Sequence, residues 1–236
     1  MDHSTRCLDR IQWSVTQNLV AQALERVAQA AAAALAGRGL FHLVLSGGNT
    51  PRALYERLSG LETDWSRWQV WFGDERCLPA DHPQRNSRMA EQAWLGRSPL
   101  MPQQIHRIAG ERGAGEAAKA YAAELAGVGP FDLVLLGLGE DGHTASLFPG
   151  RPRDPAGVDV LPVFDGPAPL VERVSLSAAR LSDARKALFL VGAGKGEAVA
   201  AWRRGELLPA AEICPPAGEI EVLVDPTSLA QAQFLV

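Results

Sequence analysis

Cysteine is scarce in this chain: Cys7, Cys77 and Cys214 are the only three among 236 residues. An odd count with no C-x-x-C spacing excludes a disulfide framework or a zinc knuckle, and it predicts reduced thiols. A surplus of one charge is also missing. Lys and Arg total 23 against 27 Asp and Glu, a formal net charge of −4. No basic excess advertises a nucleic-acid partner, although a local anion site stays open. No run approaches the ~18 apolar residues of a membrane span, and the opening MDHSTRCLDR lacks an apolar signal core. There is no H-x-x-x-H, no His/Cys cluster at ligand spacing and no G-x-S-x-G elbow. These absences predict a cytoplasmic protein with no metal, membrane or nucleic-acid partner. If its chemistry is hydrolytic, water is favoured over a serine as the nucleophile.

What is present suits a packed core. Hydrophobic residues make up 47% and charged residues 21%, which excludes disorder, and the length predicts a single domain spanning residues 1–236. Residues 15–36 are Ala-rich and predict a helix stopped by Gly37. Phe41-His42-Leu43-Val44-Leu45 is a short apolar run that breaks into Ser46-Gly47-Gly48-Asn49-Thr50-Pro51. A buried strand and a glycine turn follow from it, with Thr50 as N-cap and Pro51 as first residue of a helix reaching Leu58. Further strands are predicted at 69–72, 131–136, 173–177, 187–191 and 219–224, and helices at 86–94, 116–126 and 195–203. Residues 150–166, rich in proline and glycine, read as a loop or subdomain boundary. Apolar strands alternating with helices imply an α/β, Rossmann-like fold, a mainly parallel sheet flanked by helices on both faces.

Ligands bind such sheets outside the carboxyl ends of the strands, and the unusual chemistry of this chain sits at those ends. In Ser46, Gly47, Gly48, Asn49 and Thr50, the glycines let backbone N–H groups approach an anion beside a helix N-terminus. An ordinary strand-to-helix turn would use the same residue types. Gly137-Leu138-Gly139-Glu140-Asp141-Gly142 satisfies G-x-G-x-x-G, but Gly142-His143 interrupts the helix that a dinucleotide site requires. Gly194-Lys195 lacks the Ser or Thr and the first glycine of a P-loop; Lys195 is left as an anion-binding cation or a solvated lysine. His143, just past a buried strand, can accept a proton from water and return it to a leaving oxygen. Thr144 and Ser146 are expected to open a short helix after it. Asp141 either orients the His143 ring or caps the turn. In Asp74-Glu75-Arg76, Arg76 can face a phosphate or oxyanion, or the three charges can pair among themselves.

Three of these segments, LVLSGGNTPRALYERL, WFGDERCLPADHPQRNS and FDLVLLGLGEDGHTASLFPG, resemble the glucosamine-6-phosphate isomerase/6-phosphogluconolactonase family. Weaker matches run through RVSLSAARLSDARKALFLVGAGKGEAV to EVLVDP, so the resemblance covers nearly the whole chain. The third segment is similar to the lactonase branch: Ser146-Leu147-Phe148 stands where deaminases carry Phe-Asn-Glu, and the missing carboxylate fits lactone hydrolysis. Arg85-Asn86 departs from the usual Ser-Asn or Ser-Thr of relatives, leaving Arg85 either at a phosphate or in solvent. The resemblance implies hydrolysis of 6-phospho-D-glucono-1,5-lactone in the oxidative pentose phosphate pathway, with no cofactor. It implies His143 as base, Asp141 as its partner, and Arg76 at the developing charge. Ser46 to Thr50, Arg76 and Lys195 would hold the phosphate. A sugar-phosphate isomerase or deaminase and a non-catalytic sugar-phosphate sensor are the alternatives.

Overall fold

A computed structural model describes residues 7–151 and 154–233; the first six residues of the opening stretch tested for a secretory signal lie outside them. Six strands form a wholly parallel sheet: β1 (Ile11–Val15), β2 (Phe41–Leu45), β3 (Trp68–Phe72), β5 (Leu133–Leu136), β8 (Lys186–Val191) and β9 (Glu219–Val224). Their order is β1-β9-β8-β5-β2-β3. A second, antiparallel sheet is ordered β4-β7-β6 from β4 (Asp74–Arg76), β6 (Val160–Val163) and β7 (Arg173–Leu176). The helices are α1 (Leu19–Arg38), α2 (Asn49–Leu58), α3 (Asn86–Ala93), α4 (Ala114–Leu125), α5 (Ala178–Ser182), α6 (Gly196–Arg203), α7 (Pro209–Glu212) and α8 (Pro226–Gln233).

The chain steps one way across the sheet from β1 through α1 to β2 and through α2 to β3. It steps back from β3 through α4 to β5, and through α6 between β8 and β9. Since such crossovers are right-handed, α1 and α2 cover one face and α4 and α6 the other. Burial on both faces explains why β2 and β5 are apolar almost without interruption. Helix α1 presents Leu19, Ala23, Val27, Ala31 and Ala34 to the core at helical spacing. No helix among the described residues is long and apolar enough to cross a membrane.

Several expectations need correction. Helix α1 runs past Gly37 and ends at Gly39, whose left-handed φ of 76° lets its N–H reach the carbonyls of Ala34 and Leu35. Gly48, not Thr50, occupies the N-cap of α2, so Asn49 and Thr50 are already helical. Strand β7 belongs to the small antiparallel sheet rather than the main one, and the proline-rich stretch 150–166 contributes β6 to it. In place of a helix after His143 there is a turn closed by a bridge between Thr144 and Leu147, with Ala145 at a φ of 48°. The reading of three reduced thiols also fails: Cys7 and Cys214 form a disulfide across 207 positions, and only Cys77 is free. The cause is the parallel pairing of β1 with β9, which aligns Ile11 with Ile220 and so brings together the segments just before each strand. No local spacing reports that register.

Candidate active site

Strand β2 connects onward to β3 on one side and β5 to β8 on the other, so the connections diverge between these two neighbours. The crevice at their carboxyl ends is where an open α/β sheet binds ligands. A cleft of about 510 Å³ lies there. Ser46, Gly47, Gly48, Asn49 and Thr50 reach it after β2, Arg76 from β4, His143 after β5, and Lys195 after β8. Three of these segments meet because parallel strands place their carboxyl ends on one rim, and β4 joins them there because it follows the carboxyl end of β3 after Gly73 alone.

The glycine loop is held from below. The Tyr55 hydroxyl, on α2, donates to the Ser46 carbonyl at 2.8 Å and accepts from the Ser46 N–H at 2.9 Å. Burial pushes the Tyr55 phenol far up, so it stays neutral and keeps both bonds. The Ser46 side chain is buried at the cleft wall, and its hydroxyl has no partner among the described residues at hydrogen-bond geometry. Gly47 is required by close approach: a Cβ there would stand 2.1 Å from Asn86 Oδ1.

Asp74, Glu75 and Arg76 divide their labour. Glu75 is fully buried and accepts from the backbone N–H groups of Arg76, Asn86 and Ser87, which caps α3. Asp74 lines the cleft with both carboxylate oxygens engaged, one by Asn86 Nδ2 at 2.9 Å and one by the Ser146 hydroxyl at 2.6 Å. Arg76 also lines the cleft; it donates to the Gln84 carbonyl, and its buried Nε has no hydrogen-bond partner among the described residues. Arg85 resolves against both of its alternatives. Buried, it pairs with Glu75 at 3.3 Å and Glu111 at 2.7 Å and donates to the Ile108 carbonyl at 2.6 Å, away from the cleft.

His143 Nδ1 lies 2.5 Å from Asp141 Oδ1, which also accepts the His143 backbone N–H at 3.1 Å. Burial raises the Asp141 carboxyl, but the two hydrogen bonds and the attraction of His143 outweigh it and hold the group below its ordinary range. An ionised carboxylate only accepts, so Nδ1 carries the proton, and in the neutral imidazole the lone pair is on Nε2. Gly139 makes room for the pair: a Cβ there would meet His143 Nδ1 at 2.0 Å. Lys195 Nζ stands 3.4 Å from Glu140 Oε1, on the same loop as Asp141.

One cation of the cleft escaped the motif reading. Arg173, on β7, pairs in register with Arg76 on β4, and both line the cleft. Burial lowers the Arg173 guanidinium, Asp74 raises it, and Arg76 and Arg151 lower it further. Neither Arg173 nor Arg76 has a carboxylate within ion-pair distance among the described residues, although like charges directly opposite on a ladder repel. An anion between them removes that penalty. The signal for Arg173 lay in the pairing of β7 with β4, which nothing in a lone Arg-Val-Ser-Leu announces.

A parallel α/β fold with a cation-lined cleft at its switch point, a glycine loop and a histidine–carboxylate pair defines a class: an α/β scaffold with a polar cleft of small-molecule size. The family model described as glucosamine-6-phosphate isomerases/6-phosphogluconolactonase matches residues 14–222. The chain belongs to this family. A protein named 6-phosphogluconolactonase from Synechocystis sp. is 39% identical over 224 residues, 89% of this chain and 92% of its own length. Another of that name, from Streptomyces coelicolor, is 38% identical over 77% of this chain and 85% of its own length. The crystal structure of 6-phosphogluconolactonase from Thermotoga maritima superposes with a TM-score of 0.84 over 91% of this chain and all of its own; at 24% identity this speaks for the fold.

Proposed function

We propose that this chain, as one domain in the cytoplasm, hydrolyses 6-phospho-D-glucono-1,5-lactone to 6-phosphogluconate. The observation that carries the reading is the His143–Asp141 pair, bonded at 2.5 Å, at the wall of a cleft whose other walls are a glycine loop and cations. Nε2 of His143 takes a proton from water as the water oxygen attacks the lactone carbonyl carbon. The tetrahedral oxyanion is met by Arg76 and backbone N–H groups. As the ring C–O bond breaks, the imidazolium returns its proton to the departing ring oxygen. Asp141 keeps the proton on Nδ1 and favours the imidazolium between the two steps. Ser46, Gly47, Gly48, Asn49 and Thr50, with Arg76 and Lys195, hold the phosphate, and binding at that remote group positions the ester for attack.

The test is lactone hydrolysis on freshly prepared substrate, corrected for the spontaneous rate, with wild type beside His143→Asn. General base assistance contributes ~10²–10⁴-fold, so the variant loses about that much in kcat while affinity for the product changes little. A wild-type rate equal to the enzyme-free control, or release of ammonia from glucosamine 6-phosphate instead, refutes the reading.

A further inference from the structure

Phe148 follows His143 by five positions and is nearly buried, yet it is absent from the lining of the cleft. It forms a wall of a neighbouring cavity of about 300 Å³, together with Leu161, Pro162 and Pro209. Its ring centroid lies 5.0 Å from that of the His143 imidazole, with the planes at 47°. The guanidinium carbon of Arg173 stands 5.3 Å from the same centroid, and that of Arg151 stands 5.0 Å away. Both are within the ~6 Å over which an aromatic face attracts a cation. Each arginine is anchored separately, Arg151 to Asp165 at 2.8 Å and Arg173 Nε to the Leu170 carbonyl at 3.0 Å. The His143 ring has less to hold it. Its one ring hydrogen bond, to Asp141, acts at Nδ1; the Gly139 backbone packs against that same edge of the ring, and its loop is a turn rather than a helix.

We propose that Phe148 is a positioning residue whose ring sets the His143 imidazole and the Arg173 guanidinium in one arrangement, so that the proton-transfer group and a binding cation of the cleft are placed together. The inference rests on the reading of His143 as the base. The ring gives His143 an apolar, electron-rich surface to lean on, and it also meets the imidazolium of the proposed intermediate. No proton or electron passes through it.

The test measures kcat and KM for Phe148→Leu, which keeps an apolar side chain and removes the aromatic face, and for Phe148→Tyr, which keeps the face. Displacement of a reacting group by ~1 Å costs up to about 10²-fold, so Phe148→Leu loses roughly 10- to 100-fold in kcat. Its KM for the phosphorylated lactone rises as well, because Arg173 shifts with it, and Phe148→Tyr retains most of both. A double variant adds the decisive comparison. In a His143→Asn background, Phe148→Leu causes no further loss in kcat, because the group it positions is gone. If Phe148→Leu does not fold, Phe148→Met takes its place in both arms. A folded Phe148→Leu protein with wild-type kcat and KM, beside a crippled His143→Asn, overturns the positioning role alone. So does an undiminished Phe148→Leu loss in the double variant. A His143→Asn protein with wild-type kcat overturns the base assignment instead.

Discussion

Gly139→Ala separates the stability of the fold from the geometry of the site. The methyl group would stand 2.0 Å from His143 Nδ1, 2.3 Å from His143 Cε1 and 2.7 Å from Asp141 Oδ1. Ordinary contact begins near 3.5 Å, so the imidazole must retreat by about 1.5 Å. What moves is a side chain on a cleft wall, and Gly139 is not among the positive-φ glycines, so the backbone accepts alanine. Reduced freedom of the unfolded chain favours the variant by ~0.4–1 kcal/mol and the displaced His143–Asp141 contact opposes it, so Tm changes little. Activity goes the other way. A misplacement of that size costs about 10²–10³ in kcat, or ~2.7–4 kcal/mol of barrier. Gly137→Ala is the matched control: its methyl meets nothing within 4 Å, so kcat is retained and any effect falls on KM. Opening the lactone releases a carboxylic acid, so a pH indicator in weak buffer reads the rate, with thermal unfolding measured on the same samples. A Gly139→Ala protein with kcat within threefold of wild type would refute the idea that the His143–Asp141 arrangement is what the reaction uses.

Three further outcomes are expected. Lys195→Ala loses a charge-assisted bond of ~1.5–3 kcal/mol, roughly ten- to a hundredfold in kcat/KM, on the phosphorylated lactone but little on unphosphorylated gluconolactone; equal losses on both would remove Lys195 from the phosphate. Arg85→Ala leaves the buried Glu75 carboxylate without its ion pair, at a cost of ~3–5 kcal/mol and about 6–20 °C in Tm. The folded fraction of that variant keeps its kcat, and an unchanged melting curve would contradict the role of Arg85 as a structural clamp. Glu221 is buried, which raises its carboxyl, but bonds from Arg26 at 2.9 Å and Lys186 at 2.6 Å outweigh burial and hold it below the ordinary range. Its stabilisation is therefore complete above the unfolded value of about 4.3 and is lost as pH falls through the depressed folded value. Urea midpoints taken at descending pH should fall less steeply in Glu221→Gln than in wild type; parallel slopes would exclude Glu221 as a source of acid lability.

Asp74, Glu75 and Arg76 show where local reading stops. The alternatives for this tripeptide were an anion-binding cation and an internally paired charged turn. The three side chains do not pair among themselves: Glu75 caps α3, Asp74 is tied to Asn86 and Ser146, and Arg76 lines the cleft beside Asp74. A three-residue strand alternates its side chains between two faces, and which face is which depends on the sheet it joins.

The sequence by itself determined the parallel α/β architecture, because strands buried on both faces must be continuous apolar runs, and β2 and β5 are such runs. It also determined that the glycine loop, His143, Arg76 and Lys195 stand beyond the carboxyl ends of strands, since each lies in a polar, glycine-containing stretch that follows an apolar run. Only the tertiary structure decided what depends on register between distant segments. The alignment of β1 with β9 joins Cys7 to Cys214, and the pairing of β4 with β7 sets Arg173 opposite Arg76. The fold of the loop after β5 decides that Gly139, and not Gly137, makes room for His143. Hydrophobic periodicity records which face of an element is buried, but strand order and register arise from the packing of all elements together, and no window of sequence contains them.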